Sequence, residues 1–466
     1  MLLAYGAMVA ATVLSYLWIR GLGKGLVAAQ PPLEPGTDAT GGGSDVLAHL
    51  LLALAVITLL ARFLGGVFRR FLKQPPVMGE IVAGLVLGPS VLGALYPAAH
   101  AFLLPDEAVP YLGMISKVGV VLFLFLVGLD LDPRLLRMHK HATIAISHAS
   151  ILAPFLLGAA LALWLYPRHS TSDVSFTLFS LFLGISLSVT AFPVLARILV
   201  DRHVQHTPLG ATALACAAVD DVTAWTLLAL LAGVASSQMG TALQTVLWVI
   251  VYVAVMFGVV RPLLAPLVAR EQRAEGPLSH TALAVVFASL LFSAVATEAI
   301  GIHSLFGAFL LGALLPHEGR LAREIRQRLE DFVLVLLLPS FFAFTGLRTE
   351  ITLLDRAEDW IACGAIVVVA TLGKFGGTAA AARLTGFSWR SSAALGILMN
   401  TRGLMELIVL NLGLDLGVIT PSVFTMMVLM ALVTTLTATP ALELLRGRRG
   451  LGNVFAPGVE GSGRAG

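Results

Sequence analysis

The sequence predicts an all-α polytopic membrane protein, and three observations predict it. Apolar residues make up 58% of the 466-residue chain and charged residues only 12%, against about 25% charged in a soluble globular chain. Mean hydropathy is +0.91. Long apolar stretches, each near the roughly 20 residues a spanning helix needs, alternate with short basic or Gly/Pro-containing loops. The net charge of +3 gives no basis for nucleic-acid binding. The two cysteines, Cys216 and Cys363, lie in apolar segments and offer neither metal-ligand spacing nor a disulfide framework. They read as small packing residues.

Candidate spans fall at 2–19, 46–68, 77–96, 110–129, 140–166, 174–199, 208–235, 241–266, 279–299, 302–316, 331–347, 359–382, 391–412 and 422–445. That is fourteen, or thirteen without the first. The N-terminal segment 1–30 is read as an extra span or a signal, and the lack of a basic run ahead of its apolar stretch favours the span. Residues 31–45, rich in Pro and Gly, read as an external linker, and 446–466 as a short disordered cytoplasmic tail. The transmembrane domain covers 46–445, with no soluble or nucleotide-binding domain expected.

Loop charge sets the orientation. Alternate loops hold Arg69, Arg70 and Lys73; Arg134, Arg137 and Lys140; Arg197 and Arg202; Arg261, Arg270 and Arg273; Arg320, Arg323, Arg326 and Arg328; Arg383 and Arg390; and Arg446, Arg448 and Arg449. The opposite loops hold Arg168, Arg348 and Arg356. The C-terminus is therefore expected in the cytoplasm.

The chain also repeats. "AGLVLGPSVLG" (83–93) resembles "GAFLLGALLP" (307–316), placing Gly88 opposite Gly312. "FLFLVGLDLD" (123–132) resembles "SFFAFTGLRT" (340–349), placing Gly128 opposite Gly346. "SVTAFPVLARIL" (188–199) resembles "MNTRGLMELIVL" (399–410), placing Thr190 opposite Thr401. The offsets, 224, 218 and 211, drift slowly, as differing loop lengths produce. Two six-helix repeats follow, at 46–236 and 279–445. The linking helix at 241–266 gives them opposite orientations. Inverted repeats of this kind mark secondary transporters with a site near the midplane.

Asp220 and Asp221 sit in the middle of an apolar span. Each charged aspartate there costs roughly 2.5–3.5 kcal/mol on insertion scales, so the pair needs partners, protons or water. Consecutive helical residues point about 100° apart, so one carboxylate can face a partner helix and the other a cavity. Lys374, in "TLGKFGGTAA", is basic and near mid-span, with Gly373, Gly376 and Gly377 allowing close helix approach. It is expected to pair with one aspartate, Asp220 being favoured. Thr190 precedes Pro193, which removes a backbone donor and disfavours helix before it. The matching stretch of the second half carries Asn400, Thr401, Arg402, Gly403 and Glu406. Two broken helices at matching positions are expected, their open carbonyls and dipole ends suited to a cation. Arg402 and Glu406 are i, i+4, so a mutual pair competes with a gating role. Glu80 reads as a helix-end charge, Asp130 and Asp132 as boundary charges, and His303 and Glu298 as interfacial. Lys117 reads as a snorkelling residue, and 318–331 as an amphipathic interfacial helix.

"VMGEIVAGLVLGPSVLG", "TAFPVLARIL", "AAVDDVTAW", "GIHSLFGAFLLGALLP", "LPSFFAFTGLRT", "GKFGGT" and "NTRGLMELIVLNLG" together resemble the monovalent cation/proton antiporters of the sodium/hydrogen exchanger superfamily. The branch indicated holds the plant cation/hydrogen exchangers and bacterial relatives. The resemblance covers about 46–445. It implies thirteen helices in an inverted repeat, a dimerisation domain, and a mobile core where two broken helices cross. It implies that Asp221 binds the transported Na⁺ or K⁺ and the proton. Asp220 would pair with Lys374, and Thr190, Asn400 and Thr401 would line the site. The adjacent aspartates resemble electrogenic members. A homodimer in the cell membrane is implied, with a monovalent cation and protons as substrates, no cofactor and no enzymatic activity. The extra segment at 2–19 departs from the thirteen-helix pattern.

Three other readings fit the sequence less well. A cation channel favours selectivity rings from symmetric subunits. A sodium-coupled solute symporter needs a larger polar cavity. An intramembrane aspartyl protease needs its two aspartates on separate helices, whereas these are adjacent.

Overall fold

The computed structural model describes residues 2–23, 43–130, 140–201, 204, 207–236, 242–273, 278–300, 304–316 and 319–446. Most of the 31–45 linker, Asp132, Arg134, Arg137, Arg202, His303, Arg448, Arg449 and the rest of the tail beyond Arg446 lie outside the described residues, as does the side chain of Asp130.

Every regular element among the described residues is helical. The α-helices are α1 (Leu2–Gly23), α2 (Gly43–Val67), α3 (Pro76–Leu87), α4 (Pro97–Leu103), α5 (Val109–Asp130), α6 (Lys140–His169), α7 (Phe176–Ser188), α8 (Phe192–Asp201), α9 (Pro208–Ser236) and α10 (Ala242–Val255). They continue as α11 (Arg261–Arg273), α12 (His280–Ile300), α13 (Ser304–Leu314), α14 (Arg320–Phe332), α15 (Leu338–Leu347), α16 (Ala357–Thr371), α17 (Gly377–Leu384), α18 (Trp389–Met399), α19 (Leu404–Asp415) and α20 (Pro421–Arg446). Among the described residues, ten helical runs are long and apolar enough to cross a membrane. Polar backbone in a bilayer must be satisfied internally, and continuous helices achieve this.

Helix ends follow local chemistry. Pro76, Pro97, Pro208 and Pro421 open their helices, where a missing N–H costs nothing. Ser175 and Ser388 cap α7 and α18, accepting from the amides of Leu178 and Ser391. Beyond α19, Gly417 takes φ +66° and turns the chain away.

Helix contacts are densest within two groups, which share one hydrophobic core. One contains α2, α3, α5 and α11–α15; the other contains α1, α6–α9 and α16–α20. Glycines set the tightest crossings of the first group. A Cβ on Gly84 or Gly346 would strike the backbone of the facing helix in the α3–α15 crossing. Gly128 and Gly312 do the same for α5 and α13.

The segment 318–331 differs from its sequence reading. The helix α14 is amphipathic, yet it does not end as a separate surface element. It runs through a wide turn at Val333–Leu337 straight into α15. The intervening Val-Leu-Val-Leu-Leu has no Gly or Pro to stop it. Lys117 likewise does not merely reach for solvent: it forms an ion pair with Asp415 at 3.0 Å.

Candidate functional site

The two helices read as broken are each interrupted at mid-span. Residues 189–191 separate α7 from α8, and residues 400–403 separate α18 from α19. The breaks meet: the Ala191 amide donates to the Thr401 carbonyl at 3.1 Å. The Thr190 hydroxyl lies 3.3 Å from the Met399 carbonyl. Backbone that left its own helix has thus found partners in the other break. That is the condition for irregular chain at membrane depth. Pro193 stands at the second position of α8, where proline is compatible with a helix start.

Asp220 and Asp221 lie together on α9, and both are buried. Their surroundings are opposite. Asp220 Oδ1 accepts from Ser147 Oγ at 2.6 Å. Its Oδ2 accepts from Ser150 Oγ at 2.7 Å, Thr190 Oγ1 at 2.9 Å and Lys374 Nζ at 2.9 Å. Lys374 Nζ also donates to Thr190 Oγ1 at 2.5 Å. Asp220 and Lys374 are both fully inaccessible to solvent. The carboxylate therefore ties together α6, the break between α7 and α8, and the helix run through Lys374. Lys374 reaches it from a π-type turn at Leu372–Gly376, a local widening often found at functional positions. Gly373, just before it, lets the turn press on Pro154 of α6, where a Cβ would come within 2.6 Å of the proline Cα.

Asp221 faces the other way. Its Oδ1 is buried and accepts no hydrogen bond. Its side chain enters a small crevice lined by Val189, Ala224, Leu228, Met405 and Val409. Among the described residues of the crossing, Asn400 Oδ1 and Glu406 Oε1 are also buried acceptors without a donor, but Glu406 has a counter-charge in contact through its other oxygen.

Arg402 and Glu406 form a second buried pair at 2.6 Å within one helix turn. The guanidinium reaches further. Nη1 donates to the Ser186 carbonyl at 2.9 Å and Nη2 to the Leu187 carbonyl at 2.5 Å. These are among the last carbonyls of α7, the negative end of its dipole. Arg402 thus caps one broken helix from the other. Its own amide and carbonyl both meet Thr435 Oγ1 at 2.7 Å. The Thr401 hydroxyl turns back onto the Leu398 carbonyl at 2.8 Å, away from the aspartates.

Sequence reasoning missed Ser147, Ser150 and Thr435. The first two had a signal: "ISHAS" is a polar interruption, with serines at i, i+3, inside an otherwise apolar span.

Residues 55–444 match the profile of the family described as "Sodium/hydrogen exchanger, transmembrane". The chain belongs to the sodium/hydrogen exchanger family. It is 43% identical to the Na(+)/H(+) antiporter NhaS4 of Synechocystis over 399 residues, covering 85% of this chain and 97% of that relative. It is 38% identical to Cation/H(+) antiporter 17 of Arabidopsis thaliana, covering 88% of this chain and 50% of that one. It is 31% identical to K(+)/H(+) antiporter 1 of Saccharomyces cerevisiae, covering 80% and 43%. The chain spans about half the length of these plant and yeast exchangers. Among solved structures, the sodium proton antiporter MjNhaP1 from Methanocaldococcus jannaschii matches with a TM-score of 0.61 and 15% identity. It covers 84% of this chain and 96% of that one, and at this identity the likeness concerns the exchanger fold. Family membership makes this a multi-pass membrane transporter rather than a member of an enzyme family.

Proposed function

We propose that this protein exchanges a monovalent cation for protons across the membrane by alternating access, with Asp221 as the exchanging group. The carrying observation is a charge count at the crossing. Asp220 is neutralised by Lys374 and Glu406 by Arg402. Among the described residues, Asp221 has no counter-charge in contact and a free oxygen. An ionised Asp221 leaves one surplus negative charge in the bilayer interior, where an unpaired charge is costly. One proton or one desolvated Na⁺ or K⁺ removes that cost, and the two compete for the same oxygens. The loaded carrier crosses cheaply and the empty one does not, which couples the two flows. Thr190, Asn400 and Thr401 line the crossing, Lys374 compensates Asp220, and Arg402 and Glu406 hold the broken helices in register.

Membership of a family whose named relatives carry Na⁺, K⁺ or an unspecified cation against protons supports this reading. Thirteen spans in two inverted six-helix repeats, 46–236 and 279–445 about a linking helix at 241–266, belong to the same proposal. The glycine crossings support it. The helix of Gly88 packs on that of Gly346, and the helix of Gly128 on that of Gly312. Exchanging repeat-related partners turns one crossing into the other. The segment 1–30 is assigned as an added span, supported by the Tyr16 hydroxyl donating to the Thr177 carbonyl of α7 at 3.2 Å. A cell-membrane homodimer with a cytoplasmic C-terminus completes the proposal, the alternating loop charges supporting the orientation.

The test is proton movement in proteoliposomes with Na⁺, K⁺ and Li⁺ supplied in turn, with and without a clamped membrane potential. A cation-evoked pH change is expected for at least one ion. Its absence for all three overturns the reading. Dependence on potential would mean that a second proton moves per cycle, which requires the Asp220–Lys374 pair to open.

A further inference from the structure

A second charged cluster lies at the far end of α19, away from the crossing. Asp415 is the last residue of that helix, where a carboxylate meets the negative dipole end and is locally unfavourable. A residue that breaks a local rule is expected to be compensated from elsewhere. The compensation comes from the other packing group. Lys117 Nζ of α5 lies 3.0 Å from Asp415, and Arg348 Nη1, just past α15, lies 2.6 Å from it. One turn back, Asn411 Oδ1 accepts from Arg348 at 3.1 Å, and Asn411 Nδ2 donates to Thr345 Oγ1 of α15 at 2.8 Å. By loop charge this is the outer end of the molecule. At the inner end, the two groups meet where Gln74 Nε2 donates to the Leu436 carbonyl of α20 at 2.9 Å.

The cluster and the Asp221 crevice are served by the same helix, α19. The cluster walls a crevice with Ser116, Phe344 and Ile408. Met405 and Val409, which line the crevice beside Asp221, lie on the same stripe of α19 as Ile408 and Leu412 at helical spacing. Exposure separates this cluster from the buried pairs at the crossing. The Asp415, Arg348 and Lys117 side chains are 25%, 21% and 58% exposed, whereas Asp220 and Lys374 are at 0%. Breaking a buried pair strands a charge, while breaking a half-exposed one exchanges it for water. A contact that must part in every cycle has to be of the second kind.

We propose that Lys117, Arg348 and Asp415 are positioning residues for the exchange reaction. They form an outer latch that holds α19 against α5 and α15 while the Asp221 site is closed to the outside, and it separates when the site opens there. The latch rests on the antiporter reading, and its test has a readout that needs no transport.

With Cys216 and Cys363 replaced by alanine, Leu412→Cys reports access from the outer side and Gln74→Cys from the inner side, each read with a membrane-impermeant maleimide in oriented sealed vesicles. Arg348→Gln is expected to speed outer labelling of Leu412→Cys about fivefold, the shift that loss of one partly exposed pair gives a two-state equilibrium, and Asp415→Asn, which removes both pairs, by at least as much. Inner labelling of Gln74→Cys stays level or falls. Lys117→Arg, which keeps the charge, leaves both rates at the parent value. A Lys117→Cys/Asp415→Cys protein joined by a short bis-maleimide stops exchanging, while each single variant treated alike continues. No rise at Leu412→Cys, a rise at both reporters, or exchange that survives the cross-link overturns the latch. If the parent shows no exchange at all, the antiporter reading fails, while the labelling rates still decide the latch.

Discussion

The two faces of α9 at the level of its paired aspartates treat the same side chain in opposite ways. Toward α6 and Lys374, Asp220 receives three hydroxyls and an ammonium. Toward Val189 and Met405, Asp221 receives nothing at Oδ1 and meets a crevice. Burial does not distinguish them, since both are almost wholly enclosed. Saturation does. A carboxylate with a counter-charge in contact and a donor on each oxygen is a structural tie. One left open in the same low-dielectric interior has only protons and cations to turn to.

The comparison is broken or sharpened first by Asp221→Asn. Exchange in proteoliposomes should fall to the level of empty vesicles, because the amide can neither bind a proton at working pH nor neutralise a cation. Thermal stability in detergent should hold or rise, since a buried uncompensated charge is removed. A large loss of stability would place Asp221 among the structural ties and erase the contrast.

Asp220→Asn should behave in the reverse manner. It strands the Lys374 ammonium in the interior, a change that costs about 3–5 kcal/mol when one member of a buried pair is removed. The thermal midpoint should drop well below that of Asp221→Asn. Removing both charges, as Asp220→Asn with Lys374→Met, should recover part of the loss, giving a coupling that only a direct pair produces.

Arg402→Lys probes the other buried pair. Lysine keeps the charge opposite Glu406 but lacks the planar fork that serves the Ser186 and Leu187 carbonyls at the same time. Uncapping α7 should cost about 1–3 kcal/mol of stability. It should lower exchange less than Asp221→Asn does, because no transported ion is expected to touch the guanidinium. If Arg402→Lys matches the parent in unfolding midpoint, the cap on α7 is incidental.

How much of this was legible in the sequence depended on whether a signal was local. Spans were legible because a bilayer imposes length and composition on each segment separately. The breaks were legible because Pro193 and the polar run Asn400–Glu406 violate that composition where it should be strictest. Lys374 stood out as a partner for an aspartate because basic residues at mid-span are rare. The hydroxyl cradle was not legible. Ser147 and Ser150 are ordinary residues in membrane helices until the fold turns them toward Asp220. Lys117 and Asp415 were opaque for a related reason. Lys117 taken alone looks able to snorkel and Asp415 carries no motif, and only the approach of α19 to α5 makes them a pair. The merging of α14 with α15 was hidden by an amphipathic pattern that describes a face and says nothing of where a helix stops.

The smallest expected effect tests the cradle itself. Ser150→Ala removes one of the donors to Asp220 Oδ2 and leaves Thr190 and Lys374 on the same oxygen. A hydrogen bond to a charged group is worth about 1.5–3 kcal/mol in soluble proteins, but side-chain bonds between membrane helices average only about 0.6 kcal/mol. The oxygen that loses Ser150 remains occupied, so a loss of roughly 0.5–1 kcal/mol is expected. Ser147→Ala should cost more, because Ser147 Oγ is the one side-chain donor to Asp220 Oδ1 among the described residues and its removal leaves that oxygen as open as Asp221 Oδ1. If an open oxygen is what makes a carboxylate exchange ions, Ser147→Ala should also alter the pH dependence of exchange, while Ser150→Ala should only shift the unfolding midpoint. Equal effects from the two serines would mean that saturation is not what separates the two faces.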